Sequence, residues 1–146
     1  MMGRVPALAE RRVFVDSSAY LALLDRDDEH YEEATVILRA LASQRYRQFT
    51  TNILVIEAHA LVLSTLRIGA GHAFLRGMER SSTALVRIRV HDEEHARGIV
   101  YQYSDKDFSL ADAISFAVMD RLRITRIFTL GRHFAQYGFS ALAPPL

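Results

Sequence analysis

Short apolar runs along this chain alternate with longer stretches whose apolar residues recur every three or four positions, the pattern of strands separated by amphipathic helices. Arg12-Val13-Phe14-Val15 reads as a buried strand ending at Asp16, with Ser17 to Leu24 continuing as a short helix. Asp25 to Glu29 is a charged loop, and Tyr31 to Gln44 carries Ala34, Ile37, Leu38 and Leu41 on one helical face. Gln48-Phe49-Thr50 predicts a second strand. Thr51 or Asn52 is the cap of a helix over Ile53 to Leu66, interrupted by Gly69 and Gly71 and followed by a further helix, His72 to Arg80. Leu85 to Val90 alternates as a strand, and Asp92 is expected to open the helix Glu93 to Tyr103. Ser109 caps a helix over Leu110 to Leu122, Arg126 to Thr129 forms another strand, and Phe139 to Leu142 a weak edge strand after Gly138. The alternation predicts an α/β fold of three layers around a mainly parallel sheet, with ligands bound outside the C-terminal strand ends, where Asp16 and Thr129 fall.

Length and composition narrow this picture. With 146 residues, half of them hydrophobic, the chain supports one well-packed core and not two. Residues 1–11 read as an N-terminal extension and 12–146 as a single domain. The absence of cysteine excludes disulfides, thiolate zinc sites and cysteine nucleophiles, and is compatible with a reducing compartment. No signal-peptide pattern occurs in Met1 to Arg12, and the apolar run Ile53 to Ile56 stops at Glu57, short of a membrane span. A soluble cytoplasmic protein with no membrane partner is expected. The formal net charge is only +1, but Lys106 is the sole lysine and every other basic residue is arginine. Arginine forks suit phosphate oxygens, although genome bias explains them as well and the small net charge supplies no broad attractive field.

Candidate chemistry lies in three separated acids: Asp16 after the first strand, Glu57 early in the helix after the second, and Asp112 in the first turn of Leu110 to Leu122. Each has a structural alternative. Asp16 could cap the helix at Ser17, Ser109 and Asp112 have the spacing of a capping box, and Glu57 could be an ordinary helical acid, though its neighbours Ile53 to Ile56 are apolar. If the three converge, their mutual repulsion calls for protons or a cation, and an all-oxygen donor set suits Mg²⁺ or Mn²⁺.

Four blocks in order carry a family resemblance: Val13-Phe14-Val15-Asp16-Ser17-Ser18, Thr51-Asn52-Ile53-Leu54-Val55-Ile56-Glu57, Asp107-Phe108-Ser109-Leu110-Ala111-Asp112-Ala113, and Phe128-Thr129-Leu130-Gly131-Arg132-His133-Phe134 followed by Gly138-Phe139. The chain resembles the PIN-domain family, in particular the VapC-like toxin ribonucleases of toxin–antitoxin modules. The resemblance implies a Rossmann-like PIN fold and Mg²⁺- or Mn²⁺-dependent hydrolysis of RNA by in-line attack of water, leaving a 5′-phosphate and a 3′-hydroxyl. It also implies control by a small antitoxin protein in the active-site groove and, commonly, a homodimer, for which the apolar residues of Leu54 to Leu75 would serve unless they are core. Carried over by position, Asp16 and Asp112 are the principal metal carboxylates, Glu57 binds metal directly or through water, and Ser17 and Thr129 are supporting hydroxyls. Family members usually carry a fourth acid two residues beyond that threonine, where this chain has Gly131. Asp107 is the nearest substitute, ahead of Asp120, which lies about 12 Å along the helix from Asp112. Loss of this acid predicts attenuated catalysis or, as the nonenzymatic alternative, a PIN domain that binds RNA or antitoxin.

Other residues are weighed in the same way. Arg132 and His133, beside Gly131, are candidates for RNA phosphate contact, with a structural role equally open for His133. Phe108, Phe116, Phe128 and Phe134 fall at core-like periods. His30, His59 and His72 show no ligand spacing. His91-Asp92-Glu93-Glu94-His95 satisfies the H-x-x-E-H zinc-peptidase pattern, a remote alternative, because His91 is placed before the expected helix and Glu94 is followed by no further glutamate.

Overall fold

The computed structural model describes residues 6–145. After a 3₁₀ turn at Leu8–Glu10 the elements are β1 (Arg12–Val15), α1 (Ser17–Leu24), α2 (Tyr31–Ser43), β2 (Arg47–Thr51), α3 (Asn52–Arg80), β3 (Ala84–Val86), α4 (Val90–Gln102), α5 (Leu110–Leu122), β4 (Arg126–Phe128), α6 (His133–Tyr137) and β5 (Ser140–Ala141). All four strand pairings are parallel, in the order β3-β2-β1-β4-β5. The period-two geometry of strands explains the three layers. Val13, Val15 and Phe128 face α1 and α2, packing on Ala19, Ala22, Ala34, Ile37 and Leu41. Phe14, Phe49 and Ile127 point the other way, into a cluster with Ala96, Ile99, Phe116 and Phe134. The four phenylalanines expected in the core are all buried.

Two expectations about α3 and α4 change. The break in α3 falls at Arg67 (φ 75°, ψ −171°), not at the glycines. It is sharp: a Cβ on Gly71 would lie 3.2 Å from His59 Nε2 and 3.8 Å from Leu63 Cδ1, whereas residues twelve apart in a straight helix are separated by about 18 Å. The two halves of α3 therefore fold against each other, and Gly71 lies where they touch. This bears on the membrane question, because the apolar character does not stop at Glu57 and α3 is, by length and composition alone, apolar enough to cross a bilayer. Instead it is bent, and it buries Leu54, Ala58, Val62 and Phe74 in the protein, Phe74 edge-to-face on Tyr20 of α1 at 5.5 Å. Ile56, Leu63, Ile68 and Leu75 remain exposed, so the apolar stretch is divided between core and surface.

At the other boundary, β3 is shorter than the alternation suggested and α4 begins at Val90, so Asp92 is inside the helix and does not cap it. Two side chains explain this. Asn52 Oδ1 accepts the Ile88 N–H, taking a donor that a longer strand would need. Asp92 reaches back from the first turn to accept the Arg89 N–H, and is gripped by Arg121 of α5 through two bonds of 2.9 Å. Asp92 is only 1% exposed. Burial raises its carboxyl, but the Arg121 fork and the Arg89 N–H outweigh that and hold it below its ordinary 3.8.

Two predictions concern these features. Arg67 is exposed and sits in backbone space that essentially only glycine occupies without strain. Arg67→Gly should raise unfolding free energy by about 1 kcal/mol in urea titration; a loss would show the strain is absent. Asp92→Ala strands Arg121 and should cost about 3–5 kcal/mol at neutral pH. Because the native carboxyl is lowered, the Asp92 contribution is complete above its ordinary 3.8 and disappears as pH falls through the native value. The gap in stability between wild type and Asp92→Ala should accordingly shrink in acid, as followed by circular dichroism.

Candidate active site

Parallel strands bring their C-terminal ends, and the residues that follow, to one edge of the sheet. The Asp16 N–H donates to Phe128 O at 3.0 Å, which locks the end of β1 to the end of β4 and sets Asp16 beside Thr129. Asp16 is 8% exposed, and although it occupies the N-cap position of α1 its side chain makes no capping bond. Its Oδ2 instead accepts two hydroxyls, from Ser18 and Thr129, each at 2.8 Å. Those hydroxyls are themselves oriented, because Leu130 N–H donates to Ser18 Oγ at 3.0 Å and Gly131 N–H to Thr129 Oγ1 at 3.1 Å. Two relays of backbone N–H, hydroxyl and carboxylate thus end on one oxygen. Ser18 is the member that sequence reasoning missed; a hydroxyl two residues after a strand-end aspartate was its only signal.

Glu57 approaches from α3, whose N-terminus is fixed by Thr51, the cap that accepts the Leu54 N–H at 3.1 Å. Ser17 donates to Glu57 Oε1 and lies 3.5 Å from Asp16 Oδ1. Ser17 therefore joins two of the three acids. Asp112 arrives from the first turn of α5, where the capping-box expectation holds: its N–H donates to Ser109 Oγ at 3.0 Å and its Oδ2 accepts the Ser109 N–H at 3.3 Å. The same oxygen lies 2.7 Å from His133 Nδ1.

His133 lies between two carboxylates. Its Nε2 is 3.0 Å from Asp107 Oδ1, so both ring nitrogens are engaged by carboxylates, while Arg132 is exposed and only 3.8 Å from Asp107. Asp107 is held below its ordinary value by its own backbone N–H and by His133. It is tied to Asp112 through the imidazole. Asp120 is further off and accepts the Tyr137 hydroxyl at 3.0 Å. At Gly131 a Cβ would meet only Thr129 Oγ1, at 3.6 Å, an ordinary contact, so the position has room for a side chain.

Charge unites the two halves of the pocket. Burial pushes the Asp16 carboxyl up, the hydroxyls of Thr129 and Ser18 and the Ser17 N–H pull it only part of the way back, and the negative charge of Asp112 adds to the rise. Among the described residues no three His, Asp or Glu side chains are already grouped as a finished metal site. What is present is a buried acid that feels a second acid, with a third one hydroxyl away. A hard divalent cation fits this all-oxygen donor set and would relieve the repulsion.

His91 lies within α4 and not before it as the sequence suggests, one turn from His95 with the rings 6.4 Å apart. Both are exposed, and they gain no third ligand among the described residues.

Comparison with known proteins agrees with this architecture. The sequence model of the PIN domain matches residues 13–140, and the chain belongs to the PIN-domain family. Its likeness within that family is to VapC toxins. Ribonuclease VapC26 of Mycobacterium tuberculosis is 28% identical over 132 residues, 90% of this chain and 93% of that protein. The crystal structure of Mycobacterium tuberculosis VapC20, a Sarcin-Ricin loop cleaving toxin, matches with a TM-score of 0.83 at 24% identity, covering 90% of this chain and 99% of that one. The DNA-bound VapBC of Salmonella typhimurium matches with a TM-score of 0.66 at 12% identity, covering 90% and 96%. These structural matches establish the fold.

The raised Asp16 carboxyl carries a sign. Above its ordinary 3.8 the ionised form costs folded stability, so in chelator at neutral pH Asp16→Asn should raise the thermal midpoint, while the rise that Mn²⁺ gives the wild type should vanish. A lower midpoint for the variant in chelator would mean that the hydroxyl bonds outweigh burial.

Proposed function

We propose that this chain is a divalent-metal-dependent endoribonuclease, the toxin of a toxin–antitoxin pair, acting in the cytoplasm. One observation carries the reading: in a PIN fold, Asp16, the Ser17–Glu57 pair and Asp112 all come to the C-terminal edge of the sheet, where Asp16 is buried and feels the charge of Asp112. Asp16 and Asp112 would hold Mg²⁺ or Mn²⁺, with Glu57 binding directly or through water. Bound there, the cation would lower the pKa of water and offset charge growing on the phosphoryl oxygens.

The protein's own groups take the remaining tasks. Ser18 and Thr129 keep the Asp16 carboxylate in one orientation, and Ser17 does so for Glu57. His133, bridging Asp112 and Asp107, is a positioning residue for Asp112. A free carboxylate oxygen would accept the proton of the attacking water as its oxygen bonds to phosphorus and the bond to the 3′ oxygen breaks, giving a 5′-phosphate and, after protonation, a 3′-hydroxyl. Arg132, with its side chain 74% exposed, would meet RNA phosphate at the rim. A small antitoxin protein would regulate the enzyme by covering this groove, and the exposed Ile56, Leu63, Ile68 and Leu75 would support a homodimer.

Gly131 favours a second reading, a domain that binds RNA or antitoxin and cleaves little. Both are tested together. Purified protein with Mn²⁺ should cut structured RNA and Asp16→Asn should abolish the cutting, while Gly131→Asp, which has space for its Cβ, should raise turnover by about tenfold or more. An inert native chain with an active Gly131→Asp variant would favour the binding module; inactivity of both would sink the nuclease reading.

A further inference from the structure

The opposite edge of the sheet, where strands begin and helices end, carries Arg11, Arg12, Arg45, Arg47, Arg123 and Arg126. Part of this cluster is explained by backbone chemistry, since helix C-termini present unpaired carbonyls and a partial negative charge. Arg11 donates to Gln44 O behind α2, and Arg12 donates to Leu122 O and Arg123 O behind α5, at 2.9–3.0 Å. That role does not account for all the charge. Arg12, Arg123 and Arg126 line one cavity of about 200 Å³ with Glu10 and Thr125, and among the described residues none of the three is ion-paired to a carboxylate. Arg126 is oriented by a 3.0 Å bond to Glu10 O. Each guanidinium has five N–H donors, so Arg12 and Arg126 are held in place by one or two of them and keep others to offer, while no described partner holds the Arg123 side chain. Asp120, the next nearest acid in the chain, takes the Tyr137 hydroxyl.

We propose that this cavity is a binding site for a phosphate group, held by Arg12, Arg123 and Arg126 at the edge of the sheet opposite the acidic pocket. Three planar cations around a small polar hollow match a tetrahedral anion that offers several oxygens, and with Glu10 counted the lining carries about two positive charges, the complement of a phosphate monoester. A phosphate monoester offers three free oxygens to the three guanidinium groups, where a carboxylate offers two. The phosphate can belong to a nucleic-acid strand or be free in solution, and the chemistry of the site is the same for both. The site stands independently of the nuclease reading, because none of its residues belongs to the acidic pocket.

The test is isothermal titration at low salt with two probes, inorganic phosphate and a short 5′-phosphorylated oligodeoxyribonucleotide, on wild type and three variants. Arg123 has left-handed backbone (φ 57°, ψ 39°), which asparagine tolerates, so Arg123→Asn removes the charge while keeping the α5 cap. Arg126→Gln is the second variant, and Arg87→Ala, an exposed arginine after β3 at the other edge, removes the same charge elsewhere. Wild type should bind phosphate, and Arg123→Asn and Arg126→Gln should each weaken binding about tenfold or more at unchanged melting temperature, with Arg87→Ala near wild type. Competition between the probes, both sensitive to Arg123, assigns the site to a nucleic-acid phosphate; binding of inorganic phosphate alone assigns it to the free ion. Absence of binding in the wild type, or equal weakening by Arg87→Ala, overturns the proposal.

Discussion

The seam between β1 and β4 is the constraint on which the rest depends. A parallel pairing places two strand ends side by side, and the bond from Asp16 N–H to Phe128 O fixes them to within one hydrogen bond of each other. A carboxylate and a hydroxyl more than a hundred residues apart in sequence become neighbours as a consequence. The neighbouring strand contributes in the same way, since Thr50 donates to Val15 O and Thr51 starts α3 in the register that delivers Glu57 to Ser17. Asp112 enters from the first turn of α5, and its angle is set by a capping box that would stabilise that helix in any protein.

Charge is distributed across the sheet by the same geometry. Helix N-termini, with their unpaired N–H groups, lie at the edge that holds Asp112, whereas helix C-termini lie at the edge that collects arginine. Acids at one edge and arginines at the other are each stabilising as helix chemistry alone. That explanation does not reach two residues: Asp16 is an N-cap residue whose side chain does no capping, and Arg123 is a helix-end arginine whose side chain binds no helix carbonyl among the described residues. The Asp92–Arg121 pair is a different case, a buried charge pair across α4 and α5 that is fully occupied with structure.

Much of the fold was legible along the chain. The strands Val13–Val15 and Ile127–Phe128, the helix Ser17–Leu24 and the Ser109–Asp112 cap are specified by residues within a few positions of one another, and period-two and period-3.6 patterns report such local choices faithfully. The break in α3 was misplaced because glycine is only permissive. Arg67 turns the chain so that His59 meets Gly71, a contact between residues twelve apart in sequence. The start of α4 was shifted for a similar reason, Asn52 having claimed the Ile88 N–H from another strand end.

By itself the sequence determined the alternation of elements, the presence of acids at Asp16, Glu57 and Asp112, and the glycine at 131, because composition and short-range pattern are properties of the chain alone. Only the tertiary structure decided which acids share a pocket, that Ser18 orients Asp16, that His133 turns both ring nitrogens to aspartates, and that three arginines surround one hollow at the far edge. Those facts depend on distances between residues remote in sequence. Such distances are set by strand pairing and side-chain packing, which no local pattern encodes.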